Sequence, residues 1–205
     1  MFELPVKSTK GRPSGSTKEK KLEDSLRSLL PSHLQLEKEL CTRSFTEFVK
    51  CAWNVLEPST PYLHNWHIEL ISEYLQMVSE GKIKRLIINI PPRYMKSLLV
   101  SVMWPAWMWI QKPYYRWIAA SYSASLSLKH NLDKRNLIQS DWYQGHWGQI
   151  VKLSEDQNQK SEFQNTARGY MVATSVGGTV TGKGGNIIIL DDPLNPQEAI
   201  SDSLR

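Results

Sequence analysis

The strongest chemical signal in the chain is a seven-residue stretch, Pro91-Pro-Arg-Tyr-Met-Lys-Ser97. A short β-branched run, Arg85–Ile90, precedes it, and an apolar stretch, Ser97–Ile110, follows. A turn that opens a helix directs backbone N–H groups at whatever sits in front of it, and such a turn favours phosphate. A lysine placed there neutralises β/γ-phosphate oxygens, and a neighbouring hydroxyl helps to hold Mg²⁺. Lys96 and Ser97 are those two residue types at that spacing. Mg²⁺ and its water shell also call for a carboxylate at the end of a nearby buried strand. Asn186-Ile-Ile-Ile-Leu190 reads as that strand and runs into Asp191-Asp192, so Asp191 is the candidate metal ligand. The departure from the usual G-x-x-x-x-G-K-[ST] loop lies in its glycines, whose places are taken by Ile90 and Met95.

The surrounding elements must position these residues. Leu26, Leu29 and Leu30, then Phe45, Phe48, Val49 and Ala52, recur at helical spacing around Pro31. A further helix is expected from Trp66 to Ser79, with Ile68, Ile71, Leu75 and Val78 on one face and Gly81 as its stop. Arg85–Ile90, Arg116–Ser121 and Asn186–Leu190 read as strands buried on both faces. Phe163–Thr166 and Tyr170–Val176 read as shorter strands, with a turn at Gly177-Gly178. A polar helix fits Ala124–Ile138, and Trp142–Trp147 reads as an aromatic loop. Buried strands alternating with helices predict an α/β fold with a mostly parallel sheet. Met103, Trp104, Trp107, Met108 and Trp109 are expected to line the helix after the lysine loop, bent by Pro105. Lys129, Lys134 and Arg135 read as a solvated helix face, and His64, His130 and His146 lack the paired spacing of a zinc site.

Composition narrows the class. The 205 residues are 40% hydrophobic and 22% charged, with 25 Lys+Arg against 20 Asp+Glu for a net charge of +5. This is the make-up of an ordinary globular chain. Two cysteines, Cys41 and Cys51, cannot build a disulfide framework, which favours reduced thiols in a cytosolic setting. No apolar leader opens the chain, and the longest apolar stretch is too short to span a bilayer. Most of the positive excess lies in residues 1–21, read as a flexible basic arm. Residues 22–60 form a helical segment, and 61–205 the main domain.

Four stretches, taken together, resemble one family. Ile87-Ile-Asn-Ile-Pro-Pro-Arg-Tyr-Met-Lys-Ser97 is similar to the variant Walker A loop of tailed-bacteriophage terminase large subunits. His64–Ile71 resembles their adenine-side segment, Ala119–Ser123 the strand and loop after the Walker A helix, and Thr174–Pro193 the Gly-rich stretch and Walker B strand. The resemblance covers roughly residues 45–205. It implies a P-loop NTPase fold of the ASCE/RecA-like kind, here cut off before its later strands and carrying no nuclease domain. It implies ATP and Mg²⁺ as cofactors and double-stranded DNA, a portal protein and a small terminase subunit as partners. It also implies a ring of identical subunits, five by resemblance, acting in the cytoplasm of a bacterial host.

Roles follow the matching positions. Pro92, Arg93, Tyr94, Met95, Lys96 and Ser97 would surround the phosphates, with Lys96 on the β/γ oxygens and Ser97 and Asp191 on Mg²⁺. Asp192 stands where many relatives carry a glutamate that activates water, and Glu198 is a second candidate. Arg93 matches the arginine that senses the γ-phosphate, and His67 the adenine-contacting position. Tyr62 or Trp66 would stack on the base, and Lys183, in Thr181-Gly-Lys-Gly184 near the γ-phosphate or the DNA, would touch DNA. Two rival expectations stand beside the motor: a helicase-like DNA translocase, and an inactive remnant or half of a split gene that binds DNA or partners without turnover. A sheet lacking later strands is expected to leave an edge exposed and to favour oligomerisation.

Overall fold

The computed structural model describes residues 31–178 and 182–194. The basic arm, the first part of the 22–60 segment, Thr181 and Glu198 lie outside the described residues. The chain divides into two compact units, residues 1–36 and 37–205. In the first, Ser32 and Gln35 exchange hydrogen bonds, the Ser32 N–H donating to Gln35 Oε1 at 2.8 Å. Apart from the opening turn of the first helix, everything described below belongs to the second.

Helices α1 (His33–Arg43), α2 (Phe45–Leu56) and α3 (Trp66–Ser79) come first. Ser44 caps α2 by accepting from the Glu47 N–H at 3.3 Å, and Glu47 complements the helix start. Asn65 caps α3, and Gly81 at φ 78° ends it, a left-handed conformation that costs glycine nothing. Phe45, Phe48, Val49 and Ala52 on α2, and Ile68, Ile71 and Leu75 on α3, are buried as their spacing predicts. Cys41 and Cys51 are both free thiols, with sulfurs 3.6 Å apart.

The stretch after the lysine loop is helical but not uniform. Residues Leu98–Met103 form a π-turn that passes into α4 (Trp104–Gln111). The wider turn delivers Pro105 to the first turn of α4, where a missing N–H is harmless. Every residue from Trp104 to Ile110 is buried, and the indoles find partners inside: Trp104 donates to Ser79 Oγ at 2.8 Å and Trp107 to the Cys41 carbonyl at 2.8 Å.

Five strands follow in the order β2-β3-β4-β1-β5 across one sheet: β1 (Trp117–Ser121), β2 (Leu153–Asn158), β3 (Glu162–Asn165), β4 (Tyr170–Ser175) and β5 (Ile187–Leu190). Between β1 and β2 lie α5 (Ala124–Gln139) and α6 (Asp141–Trp147). The sheet is mixed, which overturns the expected mostly parallel P-loop sheet. β1 is parallel to β4 and β5, whereas β2–β3 and β3–β4 are antiparallel. The connections explain the difference: β2, β3 and β4 follow one another through tight turns, too short for the crossover a parallel pair requires.

Three further expectations change. β5, read as buried on both faces, buries Ile189 but leaves Ile188 and Leu190 exposed, because it is the last strand of the sheet and only one of its faces packs on the core. Arg85–Ile90 forms no strand and joins no ladder among the described residues; Leu86, Ile88 and Ile90 pack on the core while Ile87 is 85% exposed. It buries one face rather than two. Trp142–Trp147 is helix α6, not a loop, because Ser140 accepts from the Tyr143 N–H and Tyr143, His146 and Trp147 turn to one buried side. Phe48 meets Trp142, Tyr143 and Trp147 with ring centroids 5.4 to 6.3 Å away, an aromatic cluster joining α2 to α6. No helix among the described residues is long and apolar enough to cross a membrane.

Candidate phosphate and metal site

The carboxyl ends of the parallel strands bring the distant motifs together. The Asp191 N–H donates to the Ala120 carbonyl at 2.9 Å, and the Tyr122 N–H to the Asp192 carbonyl at 3.1 Å, so Asp191-Asp192 are tied to the end of β1. Lys96 reaches both carboxylates: its Nζ lies 3.2 Å from Asp191 Oδ1 and is also hydrogen-bonded to Asp192 Oδ1. Asp191 is buried and Asp192 half-exposed. Burial pulls the Lys96 ammonium down, but the hydrogen bond to Asp192 and the charge of Asp191 outweigh it and hold the group above its ordinary value.

Asp191 has a second set of neighbours that spacing did not suggest. Ser101, in the π-turn, donates to Oδ2 at 3.0 Å, and His130 Nδ1 on α5 stands 3.6 Å from the same oxygen. Burial pushes the His130 imidazole down, against the opposing charge of Asp191. The neutral ring therefore adds no positive charge beside the carboxylate near neutral pH. Ser127, His130, Asn131 and Lys134 are all buried on α5. That polar stripe at helical spacing was the available clue to His130, and it corrects the reading of Lys134 as solvated.

The loop itself shows what replaces the glycines. Arg93 and Met95 occupy left-handed backbone at φ 70° and 63°, so Met95 holds the conformation that a glycine ordinarily supplies before the lysine. Asp192 is left-handed as well, at φ 47°. Pro92, Arg93 and Tyr94 are exposed, and Met95, Lys96 and Ser97 half-buried. His67 at the start of α3 meets the Tyr94 ring edge-on, with centroids 5.3 Å apart, which brings the residue expected on the adenine side to the loop. Trp66 is 71% exposed beside His67, whereas Tyr62 packs on Trp53 and pairs with His64.

Not every predicted residue converges here. Gly182, Lys183 and Gly184 sit before β5, at the opposite end of the strand from Asp191, and Lys183 pairs with Glu162. No cluster of three or more His, Cys, Asp or Glu side chains suited to a metal occurs among the described residues. Mg²⁺ does not need one, because it retains waters and takes one or two carboxylates together with substrate phosphates. A buried carboxylate with one oxygen held by Ser101 and the other turned to Lys96 fits that donor set. No family model matches the chain, and no curated protein matches it.

Proposed function

We propose that this chain is the ATP-hydrolysing motor subunit of a phage terminase, driving double-stranded DNA into a procapsid. The observation that carries the reading is the meeting of Lys96 with Asp191 and Asp192, from motifs far apart in sequence. The order and residue types of the four resembling stretches support it. The sheet architecture contributes nothing to it.

In this reading Lys96 exchanges its carboxylate partners for the β/γ-phosphate oxygens of ATP. That exchange frees the half-exposed Asp192 to orient the attacking water. Ser97 and Asp191 would hold Mg²⁺, which supplies charge neutralisation on the phosphates. Ser101 keeps Asp191 aimed by donating to its Oδ2. Arg93, exposed on the loop, is available to the γ-phosphate, and His67 with Tyr94 forms a wall for the base. Catalysis then rests on positioning and charge, the main contributions in phosphoryl transfer. The work would take place in the bacterial cytoplasm, on a ring of identical subunits with portal and small-subunit partners.

The test is ATP turnover by the purified chain and by Lys96→Ala, with circular dichroism to confirm folding. Turnover in the parent and its loss in a folded variant are expected. Equal turnover in the two proteins, or none in the parent, would sink the assignment. Stimulation by portal or small subunit rather than by single-stranded DNA would mark the packaging motor against a helicase-like translocase.

A further inference from the structure

The amino ends of the same parallel strands carry a second concentration of chemistry. Arg116 precedes β1, Arg168 and Gly169 precede β4, and Gly184–Asn186 precede β5. Between them opens a polar cleft of two adjoining lobes, about 420 and 360 Å³, that share Arg116, Arg168 and Gly184. A strand rises about 3.3 Å per residue, so this cleft lies about 15 Å along β1 from the Asp191 end.

Three features decide what fits there. First, Arg116 and Arg168 are exposed and, among the described residues, neither pairs with a carboxylate. Among the described residues the cleft's one carboxylate, Glu162, is already engaged by Lys183, which leaves a positive excess. Second, the Arg116 side chain and the Arg168 backbone are held in place. The Arg116 guanidinium lies over the Tyr170 ring, 5.4 Å from its centroid, and Tyr170 in turn donates its hydroxyl to the Gly184 carbonyl. The Arg116 backbone is clamped by Asn186, whose Oδ1 accepts from the Arg116 N–H at 2.9 Å. Arg168 sits at φ 68° in the turn between β3 and β4. A non-glycine residue there is strained, so the turn's backbone is defined by its surroundings. Third, Gly184 has open space where a side chain would stand, so the main chain itself is accessible to a ligand.

Two forked guanidiniums, one stacked on an aromatic ring and one carried by a fixed turn, beside bare backbone in an open groove, match successive phosphates better than one small anion. We propose that this cleft binds the phosphodiester backbone of a nucleic acid, with Arg116 and Arg168 on adjacent phosphates and exposed Tyr114 at one end. The inference does not rest on reading Lys96 and Asp191 as an ATP site.

The probe is a fluorescently labelled 20-base-pair DNA duplex, titrated against the full chain by anisotropy over a series of salt concentrations. The test variant is Arg116→Ala/Arg168→Gly, in which glycine keeps the left-handed backbone of the turn while removing the cation. The basic arm is common to parent and variant and cancels in the comparison. The double variant is expected to bind at least about tenfold more weakly, with a salt slope lower by about two, one for each phosphate that an arginine no longer neutralises. The control Lys38→Ala/Arg43→Ala, on α1, is expected to bind as the parent does. Lys96→Ala is expected to retain duplex binding, which separates this site from the candidate ATP site. Unchanged affinity and salt slope in Arg116→Ala/Arg168→Gly would overturn the proposal. So would release of the duplex by millimolar inorganic phosphate at constant ionic strength, which would mark a small-anion site instead.

Discussion

Lys134 offers the sharpest quantitative test of how the interior is built. It is 1% exposed on α5, and its ammonium approaches Asn131 Oδ1 at 3.4 Å without any carboxylate partner among the described residues. Burial pushes its pKa down from the ordinary 10.5 to about 7. The unfolded chain therefore binds a proton more tightly than the native one. Between pH 7 and 10.5 the unfolded state carries more protons, so stability rises with pH across that window. Below pH 7 both states are protonated and the full penalty persists. The shift corresponds to about 5 kcal/mol at low pH, about 4 at pH 7, about 2 at pH 9 and under about 1 at pH 10.

Lys134→Met keeps an unbranched side chain of similar length and removes the titration. Urea unfolding followed by tryptophan fluorescence should show the variant more stable by about 4 kcal/mol near pH 7. That advantage should shrink to under about 1 kcal/mol near pH 10. The parent curve should climb with alkalinity while the variant curve stays flatter. Two parallel curves, or a variant weaker than the parent near pH 7, would refute the assignment of Lys134 as a buried amine whose charge no carboxylate among the described residues offsets.

The remaining predictions concern the loop and the carboxylates. Met95→Gly should be more stable than Met95→Ala by about 1 kcal/mol, because both lose the half-buried side chain but only glycine accepts φ 63° without strain. Met95→Val, β-branched in the left-handed region, should lose about 1–2 kcal/mol, and the melts read the differences. Ser101→Ala removes the buried donor to Asp191 and should cost about 2 kcal/mol in urea unfolding, since hydrogen bonds to charged groups contribute about 1.5–3. Lys96→Ala should abolish ATP turnover in a protein that still melts cooperatively.

What the sequence displays is period, and period reports burial better than it reports partners. The helix face of Ile68, Ile71 and Leu75 and the stripe of Phe45, Phe48, Val49 and Ala52 were legible because apolar residues recur every three or four positions. The run Ile187–Leu190 was legible as a strand for its β-branched content. β2 was not, because Leu-Ser-Glu-Asp-Gln-Asn is polar after its first residue and sits at the sheet edge, where pairing needs only backbone. The same gap misjudged the sheet: the tight turns that make β2, β3 and β4 antiparallel depend on backbone conformations such as Arg168 at φ 68°, which its residue type does not announce.

Polar residues on a buried face are harder still to interpret from sequence. Ser127, His130, Asn131 and Lys134 repeat at helical spacing as an apolar stripe would, and read alone they suggest a solvated side. The structure turns that stripe inward. His130 thereby reaches Asp191, while Lys134, one turn further along, is buried with its ammonium on Asn131 and no carboxylate beside it among the described residues. A buried amine that costs stability without touching Asp191 is a different matter from a histidine beside a carboxylate, although both follow from one helix rotation. The pH dependence of Lys134→Met separates them, because a measured stability cost confined to Lys134 would leave His130 as the member of the stripe whose burial serves the candidate site.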